Sequence, residues 1–106
     1  MSQAVPGPIR RFFDATNAGD TESFLEAFAP DAFLTDWGRD FNGRDEIAHW
    51  NETDNIGAKS RLALLSIAPE GDVYRAEVAV DGEGFHGEGT MTFTVDRDRI
   101  RRLVIS

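Results

Sequence analysis

The spacing of apolar residues changes period once along the chain, near Lys59. Before that point the spacing is helical. Ile9, Phe12, Phe13 and Thr16 form one stripe, the mark of an amphipathic helix. Pro8 fits its first turn, and Asn17-Ala18-Gly19 ends it. Asp20 can cap a second helix, predicted from about Thr21 to Phe28 and burying Phe24, Leu25 and Phe28. Pro30 cannot continue that helix, so the chain turns at Ala29-Pro30 and enters a strand over Ala32 to Asp36. Trp37-Gly38-Arg39 turns back through a short strand near Asp40-Phe41-Asn42. A third helix of about Arg44 to Glu52 follows. Asp45 and Glu46 sit in its first turn, where the helix dipole favours acid. Ile47 and Trp50 share its buried face, and His49 falls off it toward solvent.

From Lys59 onward the period is two, and four strands are predicted. Leu62 and Leu64 alternate with Arg61 and Ala63; Pro69-Glu70-Gly71-Asp72 makes a turn. Tyr74, Ala76, Val78 and Val80 form the apolar face of the next strand, and Asp81-Gly82-Glu83-Gly84 is a hairpin turn. Phe85, Gly87, Gly89, Met91, Phe93 and Val95 then share one face, with His86, Glu88, Thr90, Thr92 and Thr94 on the other. A one-residue slip of register would exchange those faces. Asp96 to Arg99 turns into a last strand, Ile100 to Ile105. Helices first and an antiparallel meander afterwards is an α+β plan. Residues 1–7 read as a loose arm on a single domain spanning 1–106.

Composition narrows the class. The chain has no cysteine, which excludes disulfides and thiolate metal sites. A net charge of −8 disfavours phosphate backbones, so no nucleic-acid partner is expected. No apolar run is long enough to span a bilayer and the N-terminus lacks a signal-peptide pattern. No membrane partner and a cytoplasmic location are the expectation. Two distant histidines among scattered carboxylates give no metal-ligand spacing. No glycine loop precedes a helix as phosphate binding needs, and no serine sits in a nucleophile elbow. No cofactor and no metal are expected.

The run from Phe28 to Asp36, read with Ala18-Gly19-Asp20, resembles the NTF2-like superfamily, in its SnoaL-like and ketosteroid isomerase-like branch. The resemblance covers about Ile9 to Ile105. It implies a cystatin-like cone: three N-terminal helices packed on a strongly curved antiparallel sheet with one open mouth. It also implies a pocket for a small hydrophobic molecule, polyketide- or steroid-like, and a homodimer built on the outer sheet face. The proton-shuttling aspartate of the isomerases falls on Asp36. A carboxylate at the mouth of an apolar pocket is poorly solvated, which suits it to general-base work; the competing reading is a turn aspartate bonding its own backbone. The two acidic donors that complete the isomerase site fall on Phe12 and Met91, which cannot donate, so the usual oxyanion hole is missing.

The candidate site is therefore Asp36 as catalytic base, with Phe12, Trp37, Trp50, Phe85, Met91 and Phe93 as pocket residues. Gly87 and Gly89 serve either the bend of the sheet or the room a ligand needs. His86 and Glu88 fall on the outer face, where a dimer contact would lie; with the other register they would line the pocket as an acid/base pair. Limonene epoxide hydrolase-like members use an Asp-Arg-Asp arrangement, but Arg75 and Arg101 have no evident inward aspartate partner. The readings to separate are an isomerase- or cyclase-type enzyme, a non-catalytic ligand-binding protein and a dimeric scaffold.

Overall fold

Gly19 and Asp20 divide the N-terminal helical region as their chemistry requires. In the computed structural model, which describes residues 5–83 and 86–106, helix α1 runs Gly7–Ala18 and helix α2 runs Thr21–Glu26. Gly19 takes the left-handed conformation that ends α1 (φ 69°). Asp20 accepts a hydrogen bond from the Ser23 amide at 3.1 Å and caps α2. Within the stretch read as a loose arm, Gly7 belongs to α1 and Val5 packs against the core, and residues 1–4 lie outside the described residues.

Strand β1 (Phe28–Asp36) begins four residues earlier than the alternation suggests, and α2 stops at Glu26. Pro30 is therefore inside a strand. Strand β2 (Arg39–Asn42) pairs only with Phe33 to Asp36, so the missing Pro30 amide leaves no bond to β2 unmade. Helix α3 (Gly43–Asp54) is two residues longer at its end than the sequence suggests. A single turn of 3₁₀ helix, Ile56–Ala58, leads to β3 (Arg61–Glu70), β4 (Val73–Asp81), β5 (His86–Asp96) and β6 (Arg99–Ile105).

Among the described residues the sheet has six strands in the order β2-β1-β6-β5-β4-β3. The four C-terminal strands form the expected antiparallel meander. β1 lies parallel to β6, so the sheet is mixed rather than antiparallel throughout. Sequence order hides this pairing, because the partners are separated by the entire meander. Register shifts interrupt the ladders at Leu64/Ser66, Thr94/Val95 and Phe28/Phe33, and such bulges bend strands and increase twist.

The helices cover the concave face. Phe12 sits at the centre, with ring centroids 5.3 Å from Phe13, 5.4 Å from Phe24, 6.1 Å from Phe28 and 5.4 Å from Phe93. Asn17 fastens the end of α1 to β3: its amide nitrogen donates to the Leu62 carbonyl at 2.9 Å and its oxygen accepts the Leu62 amide at 2.7 Å. Among the described residues no helix is long and apolar enough to cross a membrane.

Candidate functional site

Alternation along β1 carries Ala32, Leu34 and Asp36 to the same inner face. The first two enter the core; Asp36 comes where the aromatic packing stops. A cavity of about 220 Å³ opens there. Leu62, Val78, Val80, Gly89, Met91 and Ile105 give it apolar walls. The buried Trp50 and the exposed Trp37 also line it, and Asp36, Arg39 and Asp54 form its polar end. Val78 is directly opposite Gly89 across the β4–β5 ladder. A side chain at Gly89 would also crowd the Ser106 carbonyl, its Cβ only 3.3 Å away. Gly89 thus keeps both the strand contact and the cavity open.

Three charged groups interlock at the polar end. Arg39 Nη2 donates to Asp36 Oδ2 at 2.8 Å. Arg39 Nη1 lies 2.9 Å from Asp54 Oδ2. That approach is an ion pair out of line for a hydrogen bond, since this buried oxygen has no hydrogen-bond partner. Trp50 Nε1 donates to Asp36 Oδ2 at 2.9 Å. One Asp36 oxygen thus holds both donors, while Oδ1 receives no hydrogen bond among the described residues. The Asp36 side chain is only 14% exposed. Its carboxylate is fixed in orientation by two neighbours, not by its own turn backbone.

The chain supplies each of these groups for local reasons. Asp36 and Arg39 are register partners across the β1–β2 hairpin. Trp37 and Gly38 make the two-residue turn between them, with φ of 51° and 85°. Two positive φ values give the turn whose twist suits a hairpin, but a bulky residue there is strained. Trp37 holds that position with 71% of its surface exposed, at the cavity rim. Asp54 follows Trp50 by four residues, so α3 presents both on one face. Behind them Asn55 Nδ2 donates to Thr16 Oγ1 and Asn51 Oδ1, both at 3.0 Å. This buried network ties the end of α3 to α1.

The sequence candidates separate into three groups. Asp36, Trp37, Trp50 and Met91 meet at the cavity. Phe12 and Phe93 do not line it; both are fully buried in the aromatic cluster behind it. Phe85 lies outside the described residues. The β5 register puts Met91 and Phe93 in the core. His86 projects outward, 81% exposed and 3.1 Å from Asp81, and Glu88 is also exposed. Of the arginines singled out in the sequence, Arg75 pairs with Glu77 at 3.5 Å and Arg101 with Asp96 at 3.6 Å, both on the surface. The arginine at the cavity is Arg39, whose sequence context predicts only a turn. Its signal was present: Arg39 is the cross-hairpin partner of Asp36, and Asp54 extends the Ile47–Trp50 stripe by one turn. Among the described residues no group of three or more acidic or histidine side chains is arranged to hold a metal ion.

The SnoaL-like domain family matches residues 9–103. Among solved structures, a candidate polyketide cyclase from Sinorhizobium meliloti is 31% identical, with a TM-score of 0.88 over 96% of this chain and 95% of that one. The Δ5-3-ketosteroid isomerase from a Mycobacterium species is 18% identical, with a TM-score of 0.81 over 93% of this chain and 88% of that one. A cystatin-fold protein from Novosphingobium aromaticivorans is 12% identical, with a TM-score of 0.76 over 97% and 99% of the two chains. The last two likenesses are of fold alone. No sequence among curated proteins matches this chain.

Proposed function

Because the chain belongs to the SnoaL-like domain family, we propose that it binds a small, mostly apolar ring compound in the cavity beside Asp36. One observation carries this reading: an apolar-walled space ends at a largely buried carboxylate held by an indole and a guanidinium. Apolar walls with a few convergent polar groups are the usual form of a small-molecule site. The cavity, at about 220 Å³, is smaller than the roughly 300–1,000 Å³ that encloses drug-sized ligands. Of polyketide-like and steroid-like rings, this favours a compound of one or two rings; a tetracycle would stand partly outside.

A second reading, proton transfer by Asp36, rests on the division of labour between its oxygens. Oδ2 is engaged twice and Oδ1 is left to meet a ligand. A base fixed in place by its neighbours is what isomerase- or cyclase-type chemistry needs. Phe12 and Met91 offer no donor to a developing oxyanion, so any such step lacks the contribution that is usually largest.

A two-ring ketone separates binding from turnover. We expect 2-tetralone, whose enol can donate to Asp36, to bind, and Val80→Phe, which fills the cavity, to abolish that binding. Exchange of its α-hydrogens in deuterated water, followed by NMR, reports proton transfer. Exchange that disappears in Asp36→Asn supports an enzyme. Binding without exchange supports a ligand carrier, and binding unaffected by Val80→Phe contradicts the site.

A further inference from the structure

The polar end of the cavity has a definite hydrogen-bonding polarity, which bears on the ligand the preceding reading supposes. Two carboxylates and one guanidinium leave it a net charge of −1 when all three are ionised. The donors beside Asp36 are taken up within the protein, while Trp37 Nε1, at the exposed rim, makes no hydrogen bond among the described residues. Arg39 Nη2 and Trp50 Nε1 both serve Asp36. Arg39 Nη1 faces Asp54, and Asn55 Nδ2 is shared between Thr16 and Asn51. The Ser60 hydroxyl reaches the Asp54 carbonyl at 3.5 Å, the outer limit of a hydrogen bond. The acceptors are less occupied. Neither Asp36 Oδ1 nor Asp54 Oδ1 receives a hydrogen bond or an ion pair among the described residues. An ionised carboxylate only accepts.

We propose that the cavity selects a neutral ring compound bearing a hydroxyl, a phenol or an enol, which donates to Asp36 Oδ1. The inference rests on the binding reading above and adds its polarity. A carboxylate-bearing ligand would bring a second negative charge against this end, in a chain whose net charge is already −8. A ligand with only an acceptor, such as a methyl ether, would leave the Asp36 oxygen without a donor from the ligand. A hydroxyl answers both conditions and lets the rings lie against Trp50, Met91 and Val78.

The arrangement makes an unusual prediction for Asp36→Asn. Trp50 and Arg39 would hold the amide oxygen in the place of Oδ2, so the amide NH₂ would stand where Oδ1 was. The site would change from accepting to donating without changing shape.

The test is calorimetric binding at pH 7 of three probes of nearly equal shape: 2-naphthol, 2-methoxynaphthalene and 2-naphthoate. The intact protein should bind 2-naphthol at least about tenfold tighter than the methyl ether, the worth of one hydrogen bond to a charged acceptor. 2-Naphthoate should bind weakest. In Asp36→Asn the preference for naphthol over the ether should vanish or reverse. Equal affinity for naphthol and ether, or a preference for naphthoate, overturns the polarity inference while leaving the cavity reading in place. If none of the three binds, both fall together.

Discussion

The two ends of the interior are built from the same strands and finished in opposite ways. At one end α1 places Phe12 and Phe13 against Phe93 of β5, and Phe24 of α2 and Phe28 at the start of β1 pack on Phe12. Five rings meet edge to face or tilted, and all five are buried. At the other end the same β5 contributes Gly89 and Met91, β4 contributes Val78 and Val80, and a cavity is left. Trp50 stands between them. It stacks on Phe24 with centroids 6.2 Å apart and turns its indole N–H to Asp36. One end stabilises the domain by filling it. The other gives up packing to leave room, and holds its charges by pairing them. Residue size decides which end is which: phenylalanines close one end, and glycine and valine leave the other open.

The largest effect should come from breaking the filled end. Phe12→Ala removes a fully buried ring with four aromatic neighbours and should cost about 3–5 kcal/mol of stability in denaturant unfolding. Filling the open end should do the reverse. Val80→Phe should leave stability within about 1.5 kcal/mol of the parent while abolishing ligand binding in calorimetry. If instead Val80→Phe unfolds the protein, the two ends are not as different as they look.

Removing the common counter-ion tests the polar end itself. Arg39→Gln leaves Asp36 and Asp54 facing each other without their shared guanidinium. Asp36 is largely covered, so its loss of pairing should cost roughly 1–2 kcal/mol. Arg39 itself is 56% exposed, which keeps the effect well below that of Phe12→Ala. Thermal unfolding of Arg39→Gln beside the double variant Arg39→Gln/Asp36→Asn checks this, since the second change should restore part of the loss.

The smallest effect concerns the outer face of the sheet, which we propose as the homodimer surface. Thr90 and Glu77 meet there across β5 and β4, with the hydroxyl donating to the carboxylate at 2.9 Å. Thr92→Glu would add like charge to that surface. Sedimentation should show a weaker dimer with unchanged thermal stability of the fold; a parent protein that sediments as a monomer at high concentration removes the proposal.

Much of this architecture is legible in the chain because local signals agree with the fold. The cap at Asp20, the stop at Gly19, the change of period at Lys59 and the two faces of β5 all follow from residue chemistry. The parallel pairing of β1 with β6 does not, because no local pattern reports a contact between the first and last strands of the chain. The site was half legible for a related reason. Asp36 ends a strand whose alternation points it inward, and Trp50 shares a helical face with Ile47. Phe12 and Phe93 share those inward faces too, and spacing alone cannot tell a residue that lines a cavity from one that fills the core behind it. Arg39 and Asp54 lie in a turn and at a helix end, and only the hairpin register and the two added residues of α3 bring them to Asp36.

The open end can be observed directly through its two tryptophans. The chain has only Trp37 and Trp50, so its ¹H–¹⁵N spectrum holds two indole signals, one of them donated to Asp36. Titration with 2-naphthol should shift both indole signals and the Met91 methyl signal, and leave the ring signals of Phe12, Phe13 and Phe28 where they were. Shifts confined to the phenylalanine cluster, or none at either indole, would contradict a ligand cavity beside Asp36.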